Sequence, residues 1–228
     1  MYKITIDGFN GTGKTTLAKS LAKKLNFTYV SMGMIFRCVA YEIIEKSIDI
    51  TEIDKIFKII EDMNIVLPNN QQNNIILNGI DISNKINDMK YAEVCSDISN
   101  SLILQDGVRN LIRGYSKEEN IIVDGRDTGR LLFPDADVKF ALEADIKIRA
   151  QRKSSEQSSG NLDINNIVET MQKIDKKLIE WNCLPPEDAI KIDTTLLDKQ
   201  ETVDICLQEI FKRLPKLSQF NDETERTL

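Results

Sequence analysis

The amino-acid sequence predicts an α/β protein with a five-stranded parallel sheet covered by helices on both faces. Two observations predict this class: five short apolar runs divide the chain, and amphipathic stretches with a 3.6-residue period lie between them. The chain has 228 residues, of which 41% are hydrophobic and 29% charged, as in an ordinary globular protein. Its length fits a single domain over residues 1–228.

The elements alternate along the chain as a parallel sheet requires. The predicted strands are Lys3–Asp7, Thr28–Val30, Asn120–Asp124, Val138–Glu143 and Ala189–Asp193. Apolar residues recur every three or four positions in the predicted helices Thr15–Leu25, Ile35–Glu45 and Val94–Tyr115. A later apolar stripe consists of Ile164, Ile167, Met171, Ile174, Leu178 and Trp181, and it predicts one more amphipathic helix.

Two segments interrupt this alternation. Residues 64–88 contain short apolar runs around the polar turn 69–73, which predicts a small antiparallel β insert. Residues 150–162 include the polar, serine-rich run 152–160, which predicts a mobile loop that serves as a lid.

Residues 8–15, Gly-Phe-Asn-Gly-Thr-Gly-Lys-Thr, match the P-loop pattern G-x-x-x-x-G-K-[ST]. An apolar strand precedes the match and an amphipathic helix follows it, so the sheet is predicted to be a P-loop NTPase core. In such a loop the backbone N–H groups surround phosphate oxygens, Lys14 reaches the β- and γ-phosphates, and the Thr15 hydroxyl binds Mg²⁺. We expect ATP to contact Gly8, Asn10, Gly11, Thr12, Gly13, Lys14, Thr15 and Thr16.

A second motif, Asp-Gly-Arg-Asp at 124–127, follows the apolar run 121–123. Ligands of open parallel sheets bind beyond the carboxyl ends of the strands, so Asp124, Arg126 and Asp127 are candidate substrate-binding residues. A surface turn with a solvated ion pair is the alternative interpretation, because Asp-Gly pairs are frequent in turns.

Phosphoryl transfer depends on positioning and on cations around the transferred group. Arg126, Arg149 and Arg152 therefore join Lys14 as candidate catalytic residues. Arg149 and Arg152 lie where the predicted lid begins, and closure of a lid would bring them to the phosphates. For a lone arginine, a solvated helix face is the more usual explanation.

The composition excludes several classes of protein. The chain has no histidine, which excludes histidine-based catalysis, and its four cysteines form no Cys-x-x-Cys unit. A net charge of −6 gives no basic surface for nucleic acid or for an anionic membrane. The first strand leaves no room for a signal peptide, and no run of 18 apolar residues occurs, so we expect a cytoplasmic protein, monomeric, with a small-molecule acceptor.

These motifs together resemble bacterial cytidylate kinases over roughly residues 2–210. The resemblance lies in residues 4–15, in Asp-Gly-Arg-Asp-Thr-Gly at 124–129 with Phe-Pro-Asp-Ala at 133–136, and in the β insert. It implies ATP-dependent phosphorylation of CMP or dCMP with Mg²⁺, a lid, and an insert that binds the acceptor.

The resemblance also implies roles for individual residues. Arg37 and Arg126 match arginines that hold the acceptor phosphate. Arg109 and Asp127 match residues that contact the cytosine edge. Arg149 and Arg152 lie where lid arginines are expected.

The sequence departs from the family pattern at five positions. Met32 replaces a serine that contacts the base, and Phe36 replaces a tyrosine. Late in the chain, Ile174, Leu178 and Trp181 replace an arginine, an aspartate and an arginine that serve the acceptor's sugar and the phosphates. A shifted alignment, in which Lys173, Lys176 or Lys177 supplies the charge, is the alternative. We therefore list Met32, Leu178 and Trp181 as candidate acceptor-site residues with altered specificity.

Three functions follow from these observations. The first is a nucleoside monophosphate kinase with CMP or dCMP as acceptor. The second is a related kinase for another small phosphate or an alcohol, for which Asp7 or Asp127 could act as a base. The third is a nucleotide-binding protein without turnover.

Overall fold

The computed structural model describes residues 1–67, 74–86, 88–156 and 163–218. The chain divides into two compact units. One consists of Asn26–Ile121 together with Met1, and the other of Tyr2–Leu25 together with Ile122–Leu228. The second unit contains the predicted P-loop and the Asp-Gly-Arg-Asp motif.

The strands form two sheets. In chain order they are β1 (Lys3–Gly8), β2 (Thr28–Ser31), β3 (Ile65–Val66), β4 (Ile76–Leu77), β5 (Ile80–Asp81), β6 (Ile121–Gly125), β7 (Val138–Glu143) and β8 (Ile190–Asp193). Five of them form one sheet in the order β2-β6-β1-β7-β8. This parallel sheet and its covering helices confirm the predicted fold class.

The register of the central strands aligns their carboxyl ends. β1 pairs with β7 in parallel, with Gly8 opposite Leu142, and β7 pairs with β8 with Glu143 opposite Asp193. Ile4 and Ile6 of β1 and Phe140 of β7 are fully buried, as expected for strands covered on both faces. The loops that follow β1, β7 and β8 therefore leave the sheet at one edge.

The described residues contain eight α-helices. They are α1 (Lys14–Leu25), α2 (Met32–Glu45), α3 (Ile53–Asp62), α4 (Ala92–Asn100), α5 (Leu102–Tyr115), α6 (Ile146–Glu156), α7 (Ile164–Glu180) and α8 (Lys199–Arg213). α1 buries Leu17, Ala18, Leu21 and Ala22, the stripe that the sequence predicts. Within the described ranges, no helix is long and apolar enough to cross a membrane.

The prediction of one helix over Val94–Tyr115 is wrong, because the chain breaks at Ser101. Ser101 has an extended backbone, and its side chain accepts a hydrogen bond from the backbone N–H of Leu104. Serine competes in this way with the helical hydrogen bonds and favours a helix start. The segment is consequently two helices, α4 and α5.

The lid loop predicted at 150–162 is also wrong over its first part, because α6 continues through Arg152 to Glu156. Arginine, lysine, glutamine and glutamate are good helix formers, and Ser155 donates its hydroxyl proton to the carbonyl of Gln151 one turn earlier. Residues 157–162 of the predicted lid lie outside the described residues.

A small antiparallel sheet, in the order β3-β4-β5, lies within the segment 64–88. Asn78, at the turn between β4 and β5, has a positive φ of 50° and donates a side-chain hydrogen bond to Glu42 of α2 at 2.9 Å. Both groups belong to the unit 26–121. The polar turn predicted at 69–73 lies outside the described residues.

Candidate functional site

The P-loop connects β1 to α1 at the carboxyl edge of the sheet. Gly8 and Gly11 have positive φ angles of 151° and 79°. A Cβ atom at Gly8 would lie 2.4 Å from the carbonyl oxygen of Leu142, and one at Gly11 would lie 2.8 Å from that of Arg149. Both positions therefore require glycine for backbone conformation and for space. The hydroxyl of Thr12, which is buried, donates to the carbonyl of Phe9 at 2.9 Å.

Lys14 begins α1 and turns its ammonium group back to the loop. Its Nζ donates a hydrogen bond to the carbonyl of Phe9 at 2.8 Å. Burial lowers the pKa of Lys14 to about 8. The nearby Arg126 guanidinium lowers this pKa further, whereas the Asp124 carboxylate raises it. A half-buried ammonium whose charged form is disfavoured by desolvation is stabilised by an anionic phosphate. Lys14 is thus poised for a polyphosphate at the N-terminus of α1.

Thr15 and Asp124 place two oxygen atoms side by side that could serve as metal ligands. The Thr15 hydroxyl donates to Asp124 Oδ2 at 2.6 Å, and Asp124 is almost fully buried near the end of β6. P-loop enzymes hold Mg²⁺ with these two residue types in this relation. The sequence interpretation placed Asp124 with the acceptor and missed this contact. The available signal was an apolar strand that ends in aspartate.

A cavity of about 520 Å³ lies over the P-loop. The residues that line it include Asn10, Gly13 and Thr16 of the P-loop segment, Arg152 of α6, and Leu197 before α8. Its size is within the range of pockets for small molecules and cofactors. The cavity brings together most of the residues expected to contact ATP.

Arg126 and Asp127 follow β6 at the same edge. The Arg126 guanidinium lies 3.5 Å from the side-chain oxygen of Asn10 in the P-loop. Asp127 is 8% exposed. The structure thus brings Arg126 to the phosphate-binding loop, where a cation would act on a transferred phosphoryl group.

The Asp7 carboxylate accepts hydrogen bonds from the segment that follows Asp127. One carboxylate oxygen accepts the backbone N–H and the hydroxyl of Thr128 at 2.8 and 2.7 Å, and the other accepts the N–H of Gly129 at 2.8 Å. These bonds anchor the single turn of π-helix at Thr128–Leu132, which directly follows Asp127. These contacts give Asp7 a structural role, and its role as a general base for an alcohol acceptor stays a prediction.

The Asp7 carboxyl should make the stability of the protein depend on pH. Burial raises its pKa from 3.8 to about 6, against the opposing effect of its hydrogen bonds. Between these two pH values the Asp7 carboxyl binds more protons in the folded state than in the unfolded state. The contribution of Asp7 to the unfolding free energy therefore falls as pH rises. We expect Asp7→Asn to remove this dependence.

Urea unfolding at several pH values from 4 to 7 tests the Asp7 prediction. The stability of the wild type relative to Asp7→Asn should decrease as pH rises through this window. Asp204→Asn, at an exposed position of α8, is the control and should preserve the slope of the wild type. A difference between wild type and Asp7→Asn that does not vary with pH would contradict the assignment.

Arg149 and Arg152 lie on α6 and already have protein partners. Arg149 is 5% exposed and forms an ion pair with Asp175 of α7 at 2.6 Å. Arg152 donates to the hydroxyl of Thr194 at 3.0 Å and to its carbonyl at 2.6 Å. The Thr194 hydroxyl in turn lies 3.1 Å from the carbonyl of Thr12 in the P-loop. Neither arginine belongs to the loop that the sequence predicted.

Several of the expected acceptor residues belong to the unit 26–121. Met32 and Phe36, on the first two turns of α2, are each 8% exposed. Arg37 donates to the backbone carbonyl of Ile86 at 3.2 Å. Arg109 of α5 is 5% exposed and donates to Asp106 on its own helix at 2.7 Å. Their roles toward an acceptor stay predictions.

The late apolar stripe is only partly buried. Met171 and Leu178 are each 4% exposed and lie on the buried face of α7. Ile164 and Trp181, at the two ends of the stripe, are 40% and 54% exposed. The predicted apolar stripe is therefore exposed at both ends of α7. The assignment of Leu178 and Trp181 to the acceptor site stays a prediction.

Comparison with known proteins places this site in a family context. A cytidylate kinase from Fusobacterium nucleatum is 32% identical over 214 residues, which cover 92% of this chain and 97% of that protein. One from Bacteroides fragilis is 32% identical over 227 residues, covering 94% and 99%. A solved structure of an uncharacterized protein from Eubacterium ventriosum, 15% identical, has a TM-score of 0.51 over 92% of this chain and 98% of that one, which shows a common fold.

The sequence model of the cytidylate kinase family matches residues 4–212. This range includes the P-loop and the Asp-Gly-Arg-Asp motif, and all but one residue of β1 and of α8. The match agrees with the resemblance seen in residues 4–15 and 124–129. The chain therefore belongs to the cytidylate kinase family.

Proposed function

We propose that this protein transfers the γ-phosphoryl group of ATP to CMP or dCMP. The observation that carries the proposal is the contact of Thr15 with Asp124 beside Lys14, at the carboxyl edge of the sheet. The family membership supports cytidine monophosphates as acceptors.

The donor nucleotide binds over the P-loop in this proposal. Backbone N–H groups of residues 10–15 and the N-terminal end of α1 hold the phosphates, and Lys14 exchanges its bond to Phe9 for phosphate oxygens. The oxygen donors of Thr15 and Asp124 suit Mg²⁺, a hard cation. Thr15 and Asp124 would hold Mg²⁺, which would supply positive charge to the phosphates of the donor.

The acceptor's own phosphate is the nucleophile. It is anionic at neutral pH, so transfer needs no general base. The hydrogen bonds of Asp7 to Thr128 and Gly129 therefore remove no group that the reaction requires. Arg126, beside Asn10, stabilises the charge on the transferred group. By family resemblance we assign Arg37 together with Arg126 to the acceptor phosphate, and Arg109 and Asp127 to cytosine.

An acceptor panel tests the proposal. Purified protein with ATP and Mg²⁺ should release ADP rapidly with CMP or dCMP, and much more slowly with UMP, dTMP, AMP, GMP, and several phosphorylated and hydroxylated metabolites. The product should be identified as CDP or dCDP, since slow ATP hydrolysis also releases ADP. Activity confined to an acceptor other than CMP or dCMP would refute the proposal and would implicate the apolar positions Met32, Leu178 and Trp181.

A further inference from the structure

The Arg149 side chain joins three segments of the unit that contains the P-loop. Its Nε donates to the carbonyl of Ala144 at 3.2 Å, its Nη1 to the carbonyl of Asn10 at 3.2 Å, and its Nη2 to Asp175 Oδ2 at 2.6 Å. The guanidinium also lies 5.6 Å from the centre of the Phe9 ring. Arg149 therefore contacts two P-loop residues, Phe9 and Asn10, and ties them to the end of β7 and to α7.

The bond to Asn10 controls the direction of a P-loop amide. The carbonyl of Asn10 and the N–H of Gly11 belong to one planar trans peptide, in which the two groups point in opposite directions. Because the Asn10 carbonyl points toward the Arg149 guanidinium, the N–H of Gly11 points away from it. The absence of a side chain at Gly11 lets the backbone of Arg149 lie against the loop.

Asp175 fixes the guanidinium in this position. The side chains of Arg149 and Asp175 are 6% and 13% exposed, so water screens their attraction little. A short charge-assisted bond from one edge of the planar guanidinium orients its other donors as well. Without the carboxylate, the Arg149 side chain would gain rotamer freedom, and its hydrogen bond to the Asn10 carbonyl would no longer be held in place.

We propose that Asp175 is a positioning residue for the donor nucleotide, which acts through Arg149 on the Asn10–Gly11 peptide. The inference rests on the proposed function only in taking ATP as the donor. Asp175 itself contacts no phosphate; its carboxylate orients Arg149, and Arg149 orients a peptide whose N–H binds phosphate. The two stripe residues nearest to Asp175 in the sequence, Ile174 and Leu178, are apolar and cannot replace its negative charge.

Direct binding measurements on the full chain test this role. We expect Asp175→Asn to weaken Mg²⁺–ATP binding about tenfold in titration calorimetry, because the neutral amide loses the charge-assisted bond and the peptide loses its fixed direction. Asp175→Glu should restore most of the affinity. CMP binding, measured separately, should stay within about twofold of the wild type, since this contact network does not include the acceptor.

A matched control lies on the same helix. Lys176 and Glu180 form an exposed pair at 3.9 Å, so Glu180→Gln removes a carboxylate from α7 without touching Arg149. It should leave ATP affinity at the wild-type value. If Asp175→Asn does not fold, Arg149→Lys provides the second variant: it keeps the charge, loses the planar fork, and should weaken ATP binding similarly.

Two results would overturn the inference. One is ATP affinity within twofold of the wild type in folded Asp175→Asn or in Arg149→Lys. The other is an equal loss of ATP and CMP affinity, which would indicate general damage to the fold. Because ATP binding is measured without an acceptor, a wild type that binds ATP but transfers nothing to CMP would refute only the proposed function, and these binding results would still decide the role of Asp175.

Discussion

Lys14→Ala is expected to lower kcat/KM for ATP by about 10³-fold, a loss typical of a preorganised group that stabilises transition-state charge. Lys14 is half-buried at the P-loop, desolvation lowers its pKa to about 8, and its ammonium donates a hydrogen bond to the backbone carbonyl of Phe9. A polyphosphate would therefore replace a weak neutral partner with a strong anionic one. Alanine removes this gain and leaves the Phe9 carbonyl without the ammonium.

Steady-state kinetics with varied ATP and saturating CMP measure the Lys14 effect. Lys24→Ala is the matched control, because Lys24 lies exposed in the last turn of the same helix. The control should keep wild-type kinetics, and both variants should retain the wild-type melting temperature to within a few degrees. Turnover by Lys14→Ala close to that of the control would show that the P-loop lysine is not part of the reaction.

Arg126→Ala is expected to lower kcat by about 10²–10³-fold with a smaller change in the KM for ATP. The guanidinium lies at the carboxyl end of β6, 3.5 Å from the side-chain oxygen of Asn10, and is half-buried. Charge develops on the equatorial oxygens of the phosphoryl group during transfer, and a planar cation with several donors stabilises it. The effect should therefore appear mainly in kcat.

Arg126→Lys separates charge from geometry at this position. It keeps the positive charge but loses the fork of parallel N–H donors, so its activity should fall between the wild type and Arg126→Ala. Arg213→Ala, on the exposed face of α8 with Glu209 as partner, is the control and should match the wild type. A rise in the KM for ATP with unchanged kcat would instead place Arg126 in ground-state binding of the donor.

The strands and the P-loop were predictable because their signals are local. The apolar runs of β1 and β7 are too short for helices, and a glycine-rich loop between a strand and an amphipathic helix has one common structural outcome. The predicted bounds of β7, Val138–Glu143, agree with the structure. Such features depend on neighbours within a few residues, which a single sequence provides.

The errors have two causes: competing local signals, and contacts between residues that lie far apart in the sequence. Periodicity predicted one helix across Ser101, but the serine hydroxyl accepts the N–H of Leu104 and starts a new helix. The serine-rich composition after Arg152 predicted a loop, whereas α6 continues to Glu156, and Arg152 donates to Thr194, which is 42 residues away. Sequence spacing does not indicate which carboxylate pairs with which cation, so the contact of Asp175 with Arg149 could be seen only in three dimensions.

The two tight P-loop glycines also limit how this protein could change over many generations. The atoms nearest to a Cβ at Gly8 or Gly11 include the main-chain oxygens of Leu142 and Arg149, and every amino acid carries such an oxygen. A second-site substitution can shrink a side chain, but it cannot delete a main-chain atom. Populations under selection should therefore recover from a mutation at these two codons only by reversion. At Gly13 no such atom lies within 4 Å, and only its positive φ of 93° favours glycine.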